Sequence, residues 1–279
     1  APSSPHAVIN GDPHLHFAHG GRADFRGSNG TYFALLSAPG VHFSAMTVDT
    51  VFLLPRPQLV HGSFFTAVAW TVRGTSGRVY GVESSAGAVG FRVVDPKQQN
   101  SVLVSRSGVW QQWAADGVRA VYKQATVYVR TNGWEANATR KPVYNYVSGP
   151  SQWRFDITIR PLGGTGLEAE AGSPSKTCFP HGLVGQSWDG DSVAVDGATD
   201  DYAYDSAHPV ITTTAMAEGA IEGTALQYGS EEAHGTDFAY SRFDKQATSF
   251  CRARDTVALQ GRKRPVRQRP LQQTGGSSD

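Results

Sequence analysis

An antiparallel all-β sandwich is the fold this sequence predicts, and three observations predict it. Residues 153–160 (WRFDITIR) alternate apolar and polar side chains without a break, which puts Trp153, Phe155, Ile157 and Ile159 on one face of a strand. Further strand-like runs recur every 8–12 residues or so, separated by Gly, Pro, Asn or Asp, as in a sandwich or barrel. No segment in the first 165 residues carries an apolar period of 3.6.

Taken in order, the predicted strands cover 31–37, 41–48, 64–72, 78–82, 89–94, 101–105, 118–123, 126–130, 143–147 and 153–160. Composition agrees. Charged residues make up only 18%, while glycine reaches 31 and aromatics 10%, a mixture suited to short strands and tight turns. The arrangement expected is a sandwich or meander with long loops, and a short helix over 244–254. Residues 162–174 (LGGTGLEAEAGSP) form a Gly-rich link and a possible sub-boundary inside one β domain spanning 8–254. From 255 to 279 the chain has no strand signal. Its GRKRPVRQRP run reads as a disordered basic tail.

The net charge of +1 conceals a partition. Residues 1–167 carry 15 Lys/Arg against 8 Asp/Glu, residues 168–245 carry 3 against 14, and residues 246–279 carry 7 against 2. An acidic stretch that dense folds against basic surface, holds cations or stays solvated.

No run of 18 apolar residues exists, so no membrane insertion is expected. The start Ala1-Pro2-Ser3-Ser4-Pro5 reads as a processed end or a cut from a longer protein. Two sequons, at Asn29 and Asn137, and a lone pair of cysteines, Cys178 and Cys251, favour an oxidising, secretory route and an extracellular or cell-surface location. If paired, the cysteines close a loop of about 73 residues and contribute roughly 4 kcal/mol on a chain-entropy estimate.

Two landmarks stand out. The first is Asn10-Gly11-Asp12-Pro13-His14, followed by Asp24-Phe25 and Gly27; its core is a turn in which Asp12 can bond the backbone ahead and Pro13 fixes φ. The second is His181-Gly182-Leu183-Val184-Gly185-Gln186, followed by Asp189-Gly190-Asp191 and Asp200-Asp201-Tyr202. In this order and at this separation they resemble a von Willebrand factor type D domain. The opening is also similar to cysteine-poor plant root-cap and late-embryogenesis-like proteins, and HGLVGQSW to the carboxy-terminal region of inter-alpha-trypsin inhibitor heavy chains. The chain departs from type D domains at Val184, where they carry cysteine, and at Gln186, where they carry Asn. The dense disulfide framework of those domains is therefore missing.

The resemblance implies a calcium-stabilised, non-catalytic binding or assembly module, with Asp189, Asp191, Asp200, Asp201 and Gln186 around the ion. Physical chemistry supports a hard cation independently, because Ca²⁺ takes 6–8 oxygen ligands and clustered carboxylates repel without one. The competing expectation is a solvated loop, or one paired with the basic half. Implied partners are extracellular glycans, matrix or filament proteins, or further copies of the chain.

An enzymatic alternative rests on His14, His16 and His19, an H-x-H-x-x-H trio able to hold Zn²⁺ or Cu²⁺ if a turn folds His19 back. Against it, His14 already belongs to the GDPH turn. Phosphate-loop, dinucleotide-binding, nucleophile-elbow and HExxH patterns are all absent. Trp110 and Trp113, in the polar stretch GVWQQWAADG, form the best candidate for an exposed ligand platform, with core or rim packing as the alternative. The basic tail lacks interleaved aromatics and a folded reader, so nucleic acid is not an expected partner.

Overall fold

The computed structural model describes residues 6–55, 58–98, 101–131, 133–162, 180–189, 193–203 and 209–245. It is a sandwich of two antiparallel sheets. The first sheet uses β1 (Ala7–Asn10), β2 (His14–His16), β3 (Arg22–Asp24), β10 (Trp110–Ala115), β11 (Val118–Lys123), β12 (Thr126–Thr131), β13 (Trp134–Pro142) and β15 (Trp153–Pro161), in the order β10-β11-β12-β13-β15-β1-β2-β3. The second uses β4 (Tyr32–Ala38), β5 (Val41–Leu53), β6 (Leu59–Arg73), β7 (Val79–Ser85), β8 (Phe91–Asp95), β9 (Ser101–Arg106) and β17 (Gly229–Ser230), in the order β17-β4-β5-β6-β7-β8-β9. β14 (Tyr146–Ser148) adds to β5, and β16 (Val210–Thr212) runs parallel to β6.

Alternation decides which face each strand buries. Phe155, Ile157 and Ile159 of β15 point inward with Val127 and Val129 of β12, and meet Phe43, Trp70 and Val82 from the facing sheet in one core. Phe43 stacks on Trp70 with centroids 4.6 Å apart, adding about 1 kcal/mol to the burial of two large rings. Trp153 sits at the rim, half-buried, with the Arg140 guanidinium 3.6 Å above its ring.

Seven strands fall outside the sequence expectations: β1, β2, β3, β10, β13, β16 and β17. β13 (WEANATRKP) is central, yet two of its inward residues are Ala136 and Ala138, which carry almost no strand signal. Expected strand 143–147 shrinks to β14, and Val143 instead packs under Phe52, Val60 and Phe64 in a second small core. Of the expected helix over 244–254, only residues 244–245 are described, in a turn. The tail lies outside the described residues, and so does most of the 162–174 link.

Two turns, one from each sheet, meet at one end of the sandwich. Asp116 and Gly117 (φ 52° and 81°) make the hairpin turn between β10 and β11. The Asp116 carboxylate reaches across to the other sheet, where it accepts from Thr75 Oγ1 at 2.6 Å and from the Ser76 amide at 2.8 Å. The Ser76 hydroxyl donates to the same carboxylate and, with the Thr75 hydroxyl, holds the Asp116 carboxyl below its ordinary pKa.

The strand-poor acidic part packs as straps along the sheet edges. Leu183 and Val184, both fully buried, donate their amides to the carbonyls of Ala34 and Leu35 on β4. Gly182 (φ +115°) passes so close to that strand that a Cβ there would lie 2.5 Å from the Leu35 carbonyl oxygen. Residues 196–198 and 215–217 run along β3, with Asp24 N bonded to Ala198 O and Ala217 N to Asp24 O, both at 2.9 Å. Each sheet therefore has one edge covered by straps. Among the described residues the other edges, β9 and β10, are left open.

Candidate functional site

The site forms where the two landmarks meet. β1 and β2 are a hairpin closed by Gly11-Asp12-Pro13, with Asn10 opposite His14. Gly11 has φ +68°, and a Cβ on it would lie 2.8 Å from His14 Cδ2, so the turn needs glycine for conformation and for space. On β2, Leu15 is buried, which turns His14 and His16 to the opposite face.

β3 pairs with β2 so that His14 stands opposite Asp24. His14 Nδ1 lies 2.6 Å from Asp24 Oδ1 and Nε2 lies 3.3 Å from Asp12 Oδ1. Both carboxylates are nearly buried, at 9% and 7% exposure, so each needs a partner. The imidazole is that partner. Its pKa rises to about 9, chiefly through the bond to Asp12, with Asp24 adding and burial opposing. At neutral pH the ring is a cation held between two anions.

The far segment completes the clamp. Tyr202 Oη donates to Asp12 Oδ2 at 2.8 Å, and its ring meets His14 edge-on at 6.1 Å. Burial, with the Asp12 charge beside it, drives the Tyr202 phenol far upward, so it stays protonated and a donor. The Asp200 amide donates to Asp24 Oδ2 at 2.8 Å, while Asp200 Oδ1 accepts the amides of Thr214 and Ala215 at 2.6 and 3.1 Å. Upstream, Asp196 accepts the Arg22 amide at 2.9 Å. The network stitches β1–β3 to residues 196–215.

This geometry bears directly on the histidine trio. Both His14 nitrogens are occupied by carboxylates, so the ring has none free to ligate a metal or pass a proton to a substrate. His16 faces outward beside Arg22, and burial with that charge lowers its pKa. His19 Nδ1 accepts the Gly21 amide at 3.2 Å within its own turn. Among the described residues, no group of three or more His, Cys, Asp or Glu is arranged to hold a metal ion.

No family model and no curated protein matches this chain.

The candidate calcium ligands divide. Gln186 is committed elsewhere: its amide nitrogen donates to the carbonyls of Gly182 and Leu183 and to Tyr228 Oη, and its oxygen accepts the Glu222 amide at 2.9 Å. It braces the HGLVGQ turn. Asp200 spends Oδ1 on two amides and leaves Oδ2 with no hydrogen bond or ion pair among the described residues. Asp201 is exposed and accepts the Ala203 amide at 2.8 Å. Asp189 is described and half-buried, whereas Asp191 lies outside the described residues.

The tryptophan pair is separated. On strand β10, residues three apart point to opposite faces. Trp113 turns inward and packs on Tyr80 at 5.4 Å, whereas Trp110 turns outward with 53% exposure. A platform shared by both rings does not form, because this polar stretch is a regular strand, β10. Asn29 is exposed in a turn, its side chain accepting the Asp49 amide. Asn137 is half-buried in the middle of β13, opposite Tyr128 and Thr158. Cys178 and Cys251 both lie outside the described residues.

Sequence reasoning missed the buried His234. His234 Nδ1 lies 3.0 Å from Thr71 Oγ1 and Nε2 lies 2.9 Å from Glu83 Oε1, which ties the 231–235 turn to β6 and β7. The bond from His234 keeps the Glu83 carboxyl below its usual range. Nothing local marks His234, since its partners lie more than 150 residues upstream.

Proposed function

We propose that this chain is a non-catalytic binding and assembly module of an extracellular matrix, cell-wall or surface-filament glycoprotein. One observation carries the reading. The groups able to do acid–base or metal chemistry at the landmark junction are spent on one another, while the open edges and the outer face of the eight-stranded sheet stay accessible among the described residues. A clamp of that kind fixes long loops in place, and an open sheet offers area for a partner. The resemblance to type D domains, whose general business is assembly, supports the same view. No helix among the described residues is long and apolar enough to cross a membrane.

Calcium enters this proposal through the resemblance, at Asp189, Asp191, Asp200 through Oδ2, and Asp201, where it would neutralise the acidic strap; the described members, Asp189, Asp200 and Asp201, are not gathered into one group. Gln186 is left out of that set.

The test is to purify the full chain, probe it on an array of neutral and acidic glycans, and measure its sedimentation over a concentration series with calcium and with chelator. Binding to a glycan class, or concentration-dependent association, is the expected result. A strict monomer that binds none of the glycans would remove the proposal.

A further inference from the structure

The outer face of the eight-stranded sheet has a pattern that the landmark residues do not explain. Strand registers align its side chains in rows across β10, β11, β12, β13 and β15. One row is Ala114, Arg119, Arg130, Glu135 and Arg160. The next is Gln112, Val121, Tyr128 and Asn137. The third begins Trp110, Lys123 and Thr126. Rows lie about 7 Å apart along the strands, so Arg119 and Lys123 flank the middle row about 13 Å from each other. Val121 and Tyr128 floor an open depression of about 260 Å³ between these cations.

Charge on this face is unbalanced. Glu135, 3% exposed, is shared by Arg130 and Arg160. Arg119 stands directly opposite Arg130, a like-charge pair that costs a sheet stability. Among the described residues neither Arg119 nor Lys123 has a hydrogen bond or ion pair, and both are exposed. An uncompensated cationic pair beside an exposed Trp110 is what an anionic ligand with ring faces would neutralise and cover.

We propose that this face binds an extended acidic polysaccharide. Its sugar rings lie on Val121, Tyr128 and Trp110, while carboxylate or sulfate groups on its two edges reach Arg119 and Arg130 on one flank and Lys123 on the other. The inference rests on the binding-module reading and specifies its ligand. Nucleic acid fits less well. A single strand carries its charge along one edge and needs successive exposed rings for its bases, whereas here cations flank both sides and Trp110 is the one well-exposed ring in these rows.

The experiment titrates the full chain with polygalacturonate (carboxylate), heparin (sulfate), dextran (uncharged) and a thymidine oligonucleotide, by calorimetry at two salt concentrations. Binding is expected for one or both acidic polysaccharides and not for dextran, weakening as salt rises. Arg119→Gln/Lys123→Gln should weaken it by about tenfold or more, and Trp110→Ala should weaken it as well. Lys97→Gln/Lys245→Gln, with equal charge loss elsewhere, should not. Arg119→Glu separates binding from folding, because it pairs with Arg130: the thermal midpoint should hold or rise while affinity falls.

Unchanged affinity in Arg119→Gln/Lys123→Gln would overturn the proposal and assign any polyanion binding to other basic residues, such as those of 252–269. Oligonucleotide binding as tight as that of the polysaccharides would overturn it in favour of nucleic acid. If neither polyanion binds while neutral glycans bind or the chain self-associates, the inference falls and the binding-module reading stands. If nothing binds and the chain stays monomeric, both fall.

Discussion

Tyr202 donates a 2.8 Å hydrogen bond to Asp12, joining residues 190 positions apart in sequence. Asp12 is simultaneously the anion beside His14, so one carboxylate couples the first turn of the chain to the acidic strap. Removing the phenol oxygen leaves Asp12 Oδ2 nearly buried without its donor. Tyr202→Phe should therefore cost about 1–3 kcal/mol, read from urea unfolding. A change within experimental error would mean the strap is not held there.

The clamp also has a pH signature. His14 titrates near 6.5 in the unfolded chain and about 9 in the folded protein. A raised folded pKa stabilises fully below pH 6.5, and that contribution is lost as pH climbs through 9. Urea midpoints measured from pH 6 to pH 10 should fall across that window in the wild type. His14→Gln should be less stable at pH 6 and should lack this part of the slope. Parallel slopes in the two proteins would dismiss a charged His14.

Gly11 tests the turn itself. Gly11→Ala brings a Cβ to 2.8 Å from His14 Cδ2 at a backbone φ of +68°, and should destabilise by about 1–3 kcal/mol. His14→Gln should add little to a chain already carrying Gly11→Ala, because both disturb one clamp. Full additivity in the double-mutant cycle would separate the turn from the ion pair.

Calcium is tested by comparing two kinds of variant. Asp201→Asn should diminish any calcium-induced rise in thermal midpoint while altering the chelated protein little, since the side chain is exposed. Gln186→Ala should lower the midpoint equally with and without calcium, because it loses bonds to the 182–183 carbonyls and to the Glu222 amide. If the calcium-dependent shift vanishes in Gln186→Ala alone, these assignments are reversed.

Much of the fold was legible along the chain. Alternation at 153–160 predicts β15, because side chains two apart share a face whatever the sheet around them, and the strand-like run at 118–123 predicts β11. In β11 that two-residue period turns Arg119 and Lys123 outward. It did not disclose the like-charge pair, which exists only once β11 and β12 register Arg119 against Arg130. The edge strand β10 escaped because it has no fully buried face, and β13 because alanine reports burial poorly.

By itself, the sequence determined the sandwich class, the turn at Gly11 and the acidic character of the strap, since each depends on residues a few positions apart. Tertiary structure alone decided that His14 is a cation locked between Asp12 and Asp24, that Gln186 braces a turn, and that Trp110 and Trp113 part company. The physical reason is range. Hydrogen bonds and ion pairs act over a few ångströms, and only closure of the two sheets brings Tyr202 within that distance of Asp12.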